Sequence, residues 1–334
     1  LPRREITDQI EELLAEMLPD ETLIDGEAVL KSIEKQHGVL VQRAEGVYSF
    51  SHLTLQEYLT AQYIDDHRQI EKLVKEHLTD QRWREVFLLV SGLMRGGADE
   101  LLLLMEKKAQ TYINTPRLQA LLRWADWITA DSESDMKPVA KRAIALTYAH
   151  ALAYSLANPS AYSFALANAL ADPSAYSFAL VYSLALVLAD AHAYSFALVL
   201  ADAHAYAHAH ALANALAITK AIDTTYNLKE FKIFKDTNLT VLIARLEVLK
   251  TQVPKNNQSL EKHQVFSVKI LQTYLKCFNL TQKLINLPEA EAKAMSNYCY
   301  ANSLMVRCKE SAVRVSPKTW GTIEERMLRV PDNG

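Results

Sequence analysis

Turn-forming residues are scarce in this chain, with eight glycines and ten prolines among 334 residues. A large sandwich or barrel needs more of both, whereas helices joined by short loops do not. Cysteine is scarcer still. Cys277, Cys299 and Cys308 are odd in number and confined to the last quarter, so neither a disulfide framework nor a zinc site is expected. The formal net charge of −3 supplies no general attraction to a phosphate backbone. No basic-then-apolar leader opens the chain, and the reducing cytosol is the expected compartment. The first residue is Leu1, not Met, from which an upstream segment is expected. No GxxxxGK[ST] loop occurs anywhere. The single glycine cluster, Ser91 to Gly97, lacks the closing Lys-Ser/Thr, and no strand ends in paired acids. No Ser/His/Asp, Cys/His or paired-carboxylate arrangement rises above background either, so the chain by itself is not expected to be an enzyme or to hydrolyse ATP.

What is present is apolar and helical in character: half of the residues are hydrophobic, in long stretches rich in Ala, Leu, Glu and Lys. Glu5 to Leu18 reads as a helix with Ile6, Ile10, Leu13, Leu14 and Met17 on one face, ended by Pro19 and Asp20. A second helix is expected from about Glu27 to Gln36, closed by His37-Gly38. The period then changes to two. Val39 to Val41, a turn at Glu45-Gly46, and Val47, Tyr48 and Phe50 predict a β-hairpin. A third helix is expected to start near Ser51 and run to about Asp65. Helix, helix, two-stranded wing and helix outline a winged-helix domain over residues 1–70.

Residues 71–140 predict a helical domain: Trp83, Val86, Phe87 and Val90 share a face, Leu101 to Met105 and Leu118 to Trp127 are apolar, and Ser132 to Asp135 with Pro138 reads as a loop. Residues 141–221 form an Ala-rich repeat block, and 222–334 a C-terminal helical domain. Inside the block AYSFAL begins at Ala161, Ala175 and Ala193, and between Ala143 and Thr219 the only formal charges are Asp172, Asp190 and Asp202. Asn158-Pro159-Ser160 and Asp172-Pro173-Ser174 put an N-cap residue before a proline, which starts a helix. Tyr162, Tyr176 and Tyr194 stay within ~40° of one face at about 100° per residue, while Tyr206 rotates away. Short helices folded back as a bundle or solenoid are therefore expected. The uncharged run Pro173 to Ala189 falls short of the ~20 strongly apolar residues of a membrane span and contains Ser174, Ser177 and Ser183. His192, His204, His208 and His210 include a pair one helical turn apart, as zinc ligands are, but duplication of the repeat produces that spacing without a metal. They are expected to be polar positions on a repeat surface.

The most specific stretch is YSFSHLTLQEYLTAQYI, Tyr48 to Ile64. It resembles the end of the winged helix in NACHT-family NTPases, which belong to the wider class of signal-transduction ATPases with numerous domains. The positions that carry the likeness are Phe50, His52, Leu55, Gln56-Glu57-Tyr58 and Ala61. The tail from Tyr298 to Leu328, YCYANSLMVRCKESAVRVSPKTWGTIEERML, is similar to the C-terminal end of bacterial, especially cyanobacterial, NACHT proteins. The resemblance implies an upstream NACHT nucleotide-binding domain in the same parent, with ADP or ATP bound there and none on this chain alone. It implies that His52 matches the winged-helix histidine that reaches the β-phosphate of ADP and holds the closed state. It also implies a helical region sensing a protein or ligand trigger, self-oligomerisation on activation, an N-terminal effector, and antiphage defence. Three other readings compete. His52 could cap its helix or pack against Trp83. The winged helix could read DNA, but Glu27 to Gln36 pairs Lys31 and Lys35 with Glu27 and Glu34, a poor recognition surface. A purely structural helical-repeat scaffold explains 141–334 but leaves Tyr48 to Ile64 unaccounted for. Finally, Ser316-Pro317 predicts a last short helix with Trp320, Ile323 and Met327 on its buried face.

Overall fold

The computed structural model describes residues 1–17, 25–157 and 218–330, apart from 220, 224, 227, 231, 235 and 256. The chain is mainly α-helical with one antiparallel hairpin, as the scarcity of turn residues requires.

The first helix, α1 (Arg3–Met17), is followed by α2 (Gly26–Ser32). Asp25 caps α2, its carboxylate accepting from the Ala28 N–H at 3.0 Å. After Ser32 the backbone widens into a π-turn over Ile33–His37, and Gly38 at φ 61° ends it in the left-handed conformation that glycine adopts without strain. Strands β1 (Leu40–Ala44) and β2 (Val47–Phe50) pair in the register Leu40–Phe50, Val41–Ser49, Gln42–Tyr48 and Ala44–Val47. Arg43 is thus the extra residue of a bulge, and Gly46 takes φ 69° at the turn. The chain start lies along the open side of β2. The Leu1 ammonium donates to the Tyr48 carbonyl and the Tyr48 N–H to the Leu1 carbonyl, each at 2.8 Å. A small core of Ile6, Leu30, Leu40 and Tyr48 closes this unit, with Ile10, Ile33 and Phe50 against its edge.

The expected apolar face of α1 is buried only at its start. Leu13 and Met17 are 56% and 67% exposed among the described residues, because the small core is filled by α2 and the hairpin. Leu18 to Asp20 lie outside the described residues.

The third helix, α3 (Leu53–Asp66), starts two residues later than Ser51 implied, because Ser51 still pairs as a strand, its N–H donating to the Val39 carbonyl. Then come α4 (Ile70–His77), a 3-10 turn (Gln81–Trp83), α5 (Arg84–Leu93), α6 (Asp99–Gln110), α7 (Pro116–Thr129) and α8 (Pro138–Ala157). Trp83 belongs to the 3-10 turn and not to the face of Val86, Phe87 and Val90, which are buried. Pro138 is the first residue of α8 and not a loop residue, the position where a missing N–H costs nothing. The described positions between 218 and 230 are helical. They lead to α9 (Asp236–Lys250), α10 (Leu260–Cys277), α11 (Gln282–Ile285), α12 (Glu289–Ser311) and α13 (Pro317–Arg326).

One large core runs from Ala61 in α3 to Leu328 beyond α13. Its middle is α8, every residue of which from Val139 to Ala149 is buried. A helix apolar on all sides belongs inside a bundle, and α7, α10, α11 and α13 surround it. Two cations lie in that stretch, Lys141 and Arg142, and Arg142 is 2% exposed and fully engaged. It donates to the Met327 carbonyl at 2.8 Å, the Glu325 carbonyl at 3.1 Å and the Asp126 carboxylate at 3.2 Å. Arg329 donates to the same Asp126 oxygen at 3.1 Å. The tail is fixed further by the Leu328 N–H donating to the Tyr298 hydroxyl at 3.1 Å, and by the Arg326–Glu106 fork at 2.8 and 2.6 Å. The repeat motifs and His192, His204, His208 and His210 lie outside the described residues, as does Pro173 to Ala189.

Candidate functional site

Phe50 ends β2 with its ring partly buried against the small core, and after Ser51 and His52 α3 begins at Leu53 against the large one. His52 stands between them in extended backbone, φ −132° and ψ 138°, at the N-cap position of α3. Its carbonyl accepts from the Gln56 N–H at 3.3 Å, the first bond of the helix. Its side chain makes no capping bond and is exposed. The first-turn N–H groups of α3 therefore have no side-chain acceptor on them, and an N-terminus in that condition is disposed to meet an anion. Trp83, the other partner considered for His52, stacks on His77 with ring centroids 3.7 Å apart and planes 9° from parallel.

The rest of the motif divides by helical phase. Ala61 is fully buried and packs with Ile64 toward α5. At ~100° per residue, His52, Leu59 and Tyr63 fall on the opposite side, where Leu59 is 38% and Tyr63 52% exposed. Tyr58 beside them is 44% exposed. Gln56 is exposed and Glu57 half-buried. These two line a cleft of about 630 Å³ with Leu53, Arg82, Trp83 and Arg84. Its cations are compensated locally. Arg82 donates to both Asp80 oxygens, the shorter bond 2.7 Å, and holds that carboxyl below its ordinary pKa. Arg84 lies 3.6 Å from Glu85.

What the described residues offer a bound nucleoside diphosphate is therefore one exposed imidazole beside an uncapped helix start. That suits a single phosphate contact and not a complete nucleotide pocket. No group of three or more His, Cys, Asp or Glu able to hold a metal ion occurs among the described residues. The three cysteines are buried, and burial pushes the Cys299 thiol up to about 12.

Two family models match the chain. Residues 2–64 match the winged helix-turn-helix domain C-terminal to NACHT, and residues 242–330 match NACHT C-terminal helical domain 2. The chain is a NACHT-associated C-terminal region. No curated protein and no solved structure matches it. The domain descriptions locate both units downstream of a NACHT domain, and neither is a catalytic domain itself. The first NACHT-associated match ends within α3, at Ile64, so it takes in His52 and the whole Gln56-Glu57-Tyr58 motif. The second begins inside α9 and ends just past the Arg142-bound tail. That tail network was not legible in the sequence, because the partners of Arg142 lie 183 and 185 residues away. The one available signal is the Lys141-Arg142 pair, the last basic residues before the uncharged block. No helix among the described residues is long and apolar enough to cross a membrane.

Proposed function

We propose that this region holds its parent NACHT protein in the ADP-bound inactive state through His52, and that the helical part with its Ala-rich repeats senses a ligand or protein trigger. The observation that carries this is the state of His52: exposed, free of any capping bond, and set at an uncapped helix N-terminus. An imidazole there donates to a phosphate presented by the upstream NACHT domain, and the helix dipole favours the same charge. When the two domains separate, nothing on this chain replaces the phosphate, so the bond favours the closed state alone. Release permits self-oligomerisation, with the cytosol as compartment and antiphage defence as the setting. Nucleic acid is no partner in this reading.

The test is His52→Ala in the full-length protein, followed by ADP release and thermal unfolding together. A lost charge-assisted hydrogen bond of about 1.5–3 kcal/mol lowers the closed-to-open ratio roughly tenfold to a hundredfold. Faster ADP release with an unchanged melting point is the expected result. Unchanged release would overturn the reading and leave a helical scaffold without nucleotide control.

A further inference from the structure

The two cores divide at His52 and nowhere else. Ile6, Leu30, Leu40 and Tyr48 form the small one, and their partly buried neighbours end at Phe50. Ala61 and Ile64 of α3 belong to the large one, packed with Val86, Phe87 and Val90 of α5. By burial, α3 is a helix of the helical body, although the winged-helix match counts it as the last element of the wing domain. Polar contacts divide at the same place. Arg3 pairs with Glu27, the Tyr48 hydroxyl donates to Glu34, and the chain start pairs with β2. All of these stay on the near side of His52. Among the described residues no hydrogen bond or ion pair joins residues 1–51 to those beyond His52. Apart from the contact of β2 with the start of α3, covalent continuity through Ser51 and His52 joins the two bodies, and His52 makes no side-chain capping bond to stiffen it.

We infer that Ser51–His52 is a hinge, about which the unit of α1, α2 and the hairpin turns relative to a rigid body comprising α3 to α13. Hinges are a few element-terminal residues that absorb a backbone change while packed bodies on either side keep their shape. The position of His52 is suited to this. Its φ can change without breaking a hydrogen bond of its own side chain or the bond its carbonyl accepts from Gln56, and Ser51 needs to release only one strand bond, to the Val39 carbonyl at 2.9 Å. One consequence rests on the nucleotide reading above: the imidazole travels with the helical body and not with the hairpin. A displacement of the helical body then withdraws His52 from the phosphate even if the hairpin unit stays docked.

The hinge is tested without nucleotide, so its failure and the failure of the ADP reading are separable. Label pairs are introduced at exposed positions on the chain as it stands, Glu45→Cys with Gln62→Cys across the hinge, and Gln62→Cys with Lys107→Cys within the helical body; the native cysteines are buried and remain. Pulsed dipolar spectroscopy is expected to give a broad distance distribution for the first pair and a narrow one for the second. Leu53→Pro supplies the decisive arm. Leu53 is 67% exposed and is the first residue of α3, where proline is tolerated. A following proline also confines His52 to extended backbone, the conformation it already has. The substitution should collapse the breadth of the first distribution and leave the second unchanged. Ser51→Gly should widen the first. If the Glu45–Gln62 distribution is as narrow as the internal one, or is indifferent to both substitutions, the hinge is refuted.

Discussion

Arg142 carries a charge into the middle of a bundle and is tolerated there because every direction of its guanidinium is met. Burial lowers its pKa and the Asp126 carboxylate beside it works the other way. Met327 and Glu325 offer carbonyls at the end of α13 that no helical N–H could reach. Arg142→Met keeps most of the volume and strands both. With about 1–3 kcal/mol for each acceptor left unmade, unfolding should become easier by roughly 2–6 kcal/mol. Amide exchange at Leu328 and Arg329 should rise with it, and denaturant titration plus exchange mass spectrometry checks both. Trp320 behaves differently from its sequence expectation. Ile323 and Met327 are buried as expected, but Trp320 is only half-buried, packed against the core edge with the Lys309 ammonium 5.8 Å from the ring centroid. Trp320→Ala should therefore cost about 1–2 kcal/mol, below the ~3–5 of a fully buried ring. The midpoint of urea unfolding reads the difference.

At the scale of elements, helix starts show what a capping residue does and does not guarantee. Thr115 precedes Pro116 and its hydroxyl accepts from the Leu118 N–H at 3.3 Å. Thr115→Ala should destabilise α7 by about 1 kcal/mol. Ser316 precedes Pro317 in the same pattern, yet its hydroxyl makes no cap bond. Its backbone N–H instead donates to the Asp99 carboxylate at 3.2 and 3.3 Å, and a bond from the Thr319 side chain, helped by this one, holds Asp99 below its ordinary pKa. Ser316→Ala keeps that bond and should be nearly neutral, and paired thermal melts of the two variants settle the contrast. The pattern S-P was readable in the sequence as a helix start, and α13 begins where it implies. The partner of Ser316 was not readable, since Asp99 lies 217 residues away.

Across the described residues α8 is the central helix, so protonation there is felt globally. His150 directly follows the buried stretch that ends at Ala149, two residues past Tyr148 of the aromatic cluster, and burial pulls its pKa from 6.5 down to about 4. A histidine depressed in the folded state stabilises it while both states are neutral, above pH 6.5. As pH falls from 6.5 toward 4 the unfolded chain takes up the proton first, and stability declines through that window. His150→Gln should flatten the pH dependence of the melting temperature between those values, leaving the carboxylate-driven decline below pH 4 in place. Differential scanning fluorimetry across pH 4 to 7 reads this directly.

The amino-acid sequence by itself determined the helical class, the hairpin with its Glu45-Gly46 turn, the starts of α2 and α13, and the kinship carried by Tyr48 to Ile64. Each depends on neighbours a few residues apart: a period of two against a period near four, a glycine where φ is positive, a proline at a first helical position. Tertiary structure alone decided that Leu13 and Met17 are exposed on a face that reads as apolar, and that α3 is buried against α5 and not against the hairpin. It alone decided that the deepest charge, Arg142, clasps the chain's far end. Periodicity shows that a face is apolar but not which surface meets it. That choice is made by area buried between elements distant in sequence, and it is what separates the body carrying His52 from the hairpin that precedes it.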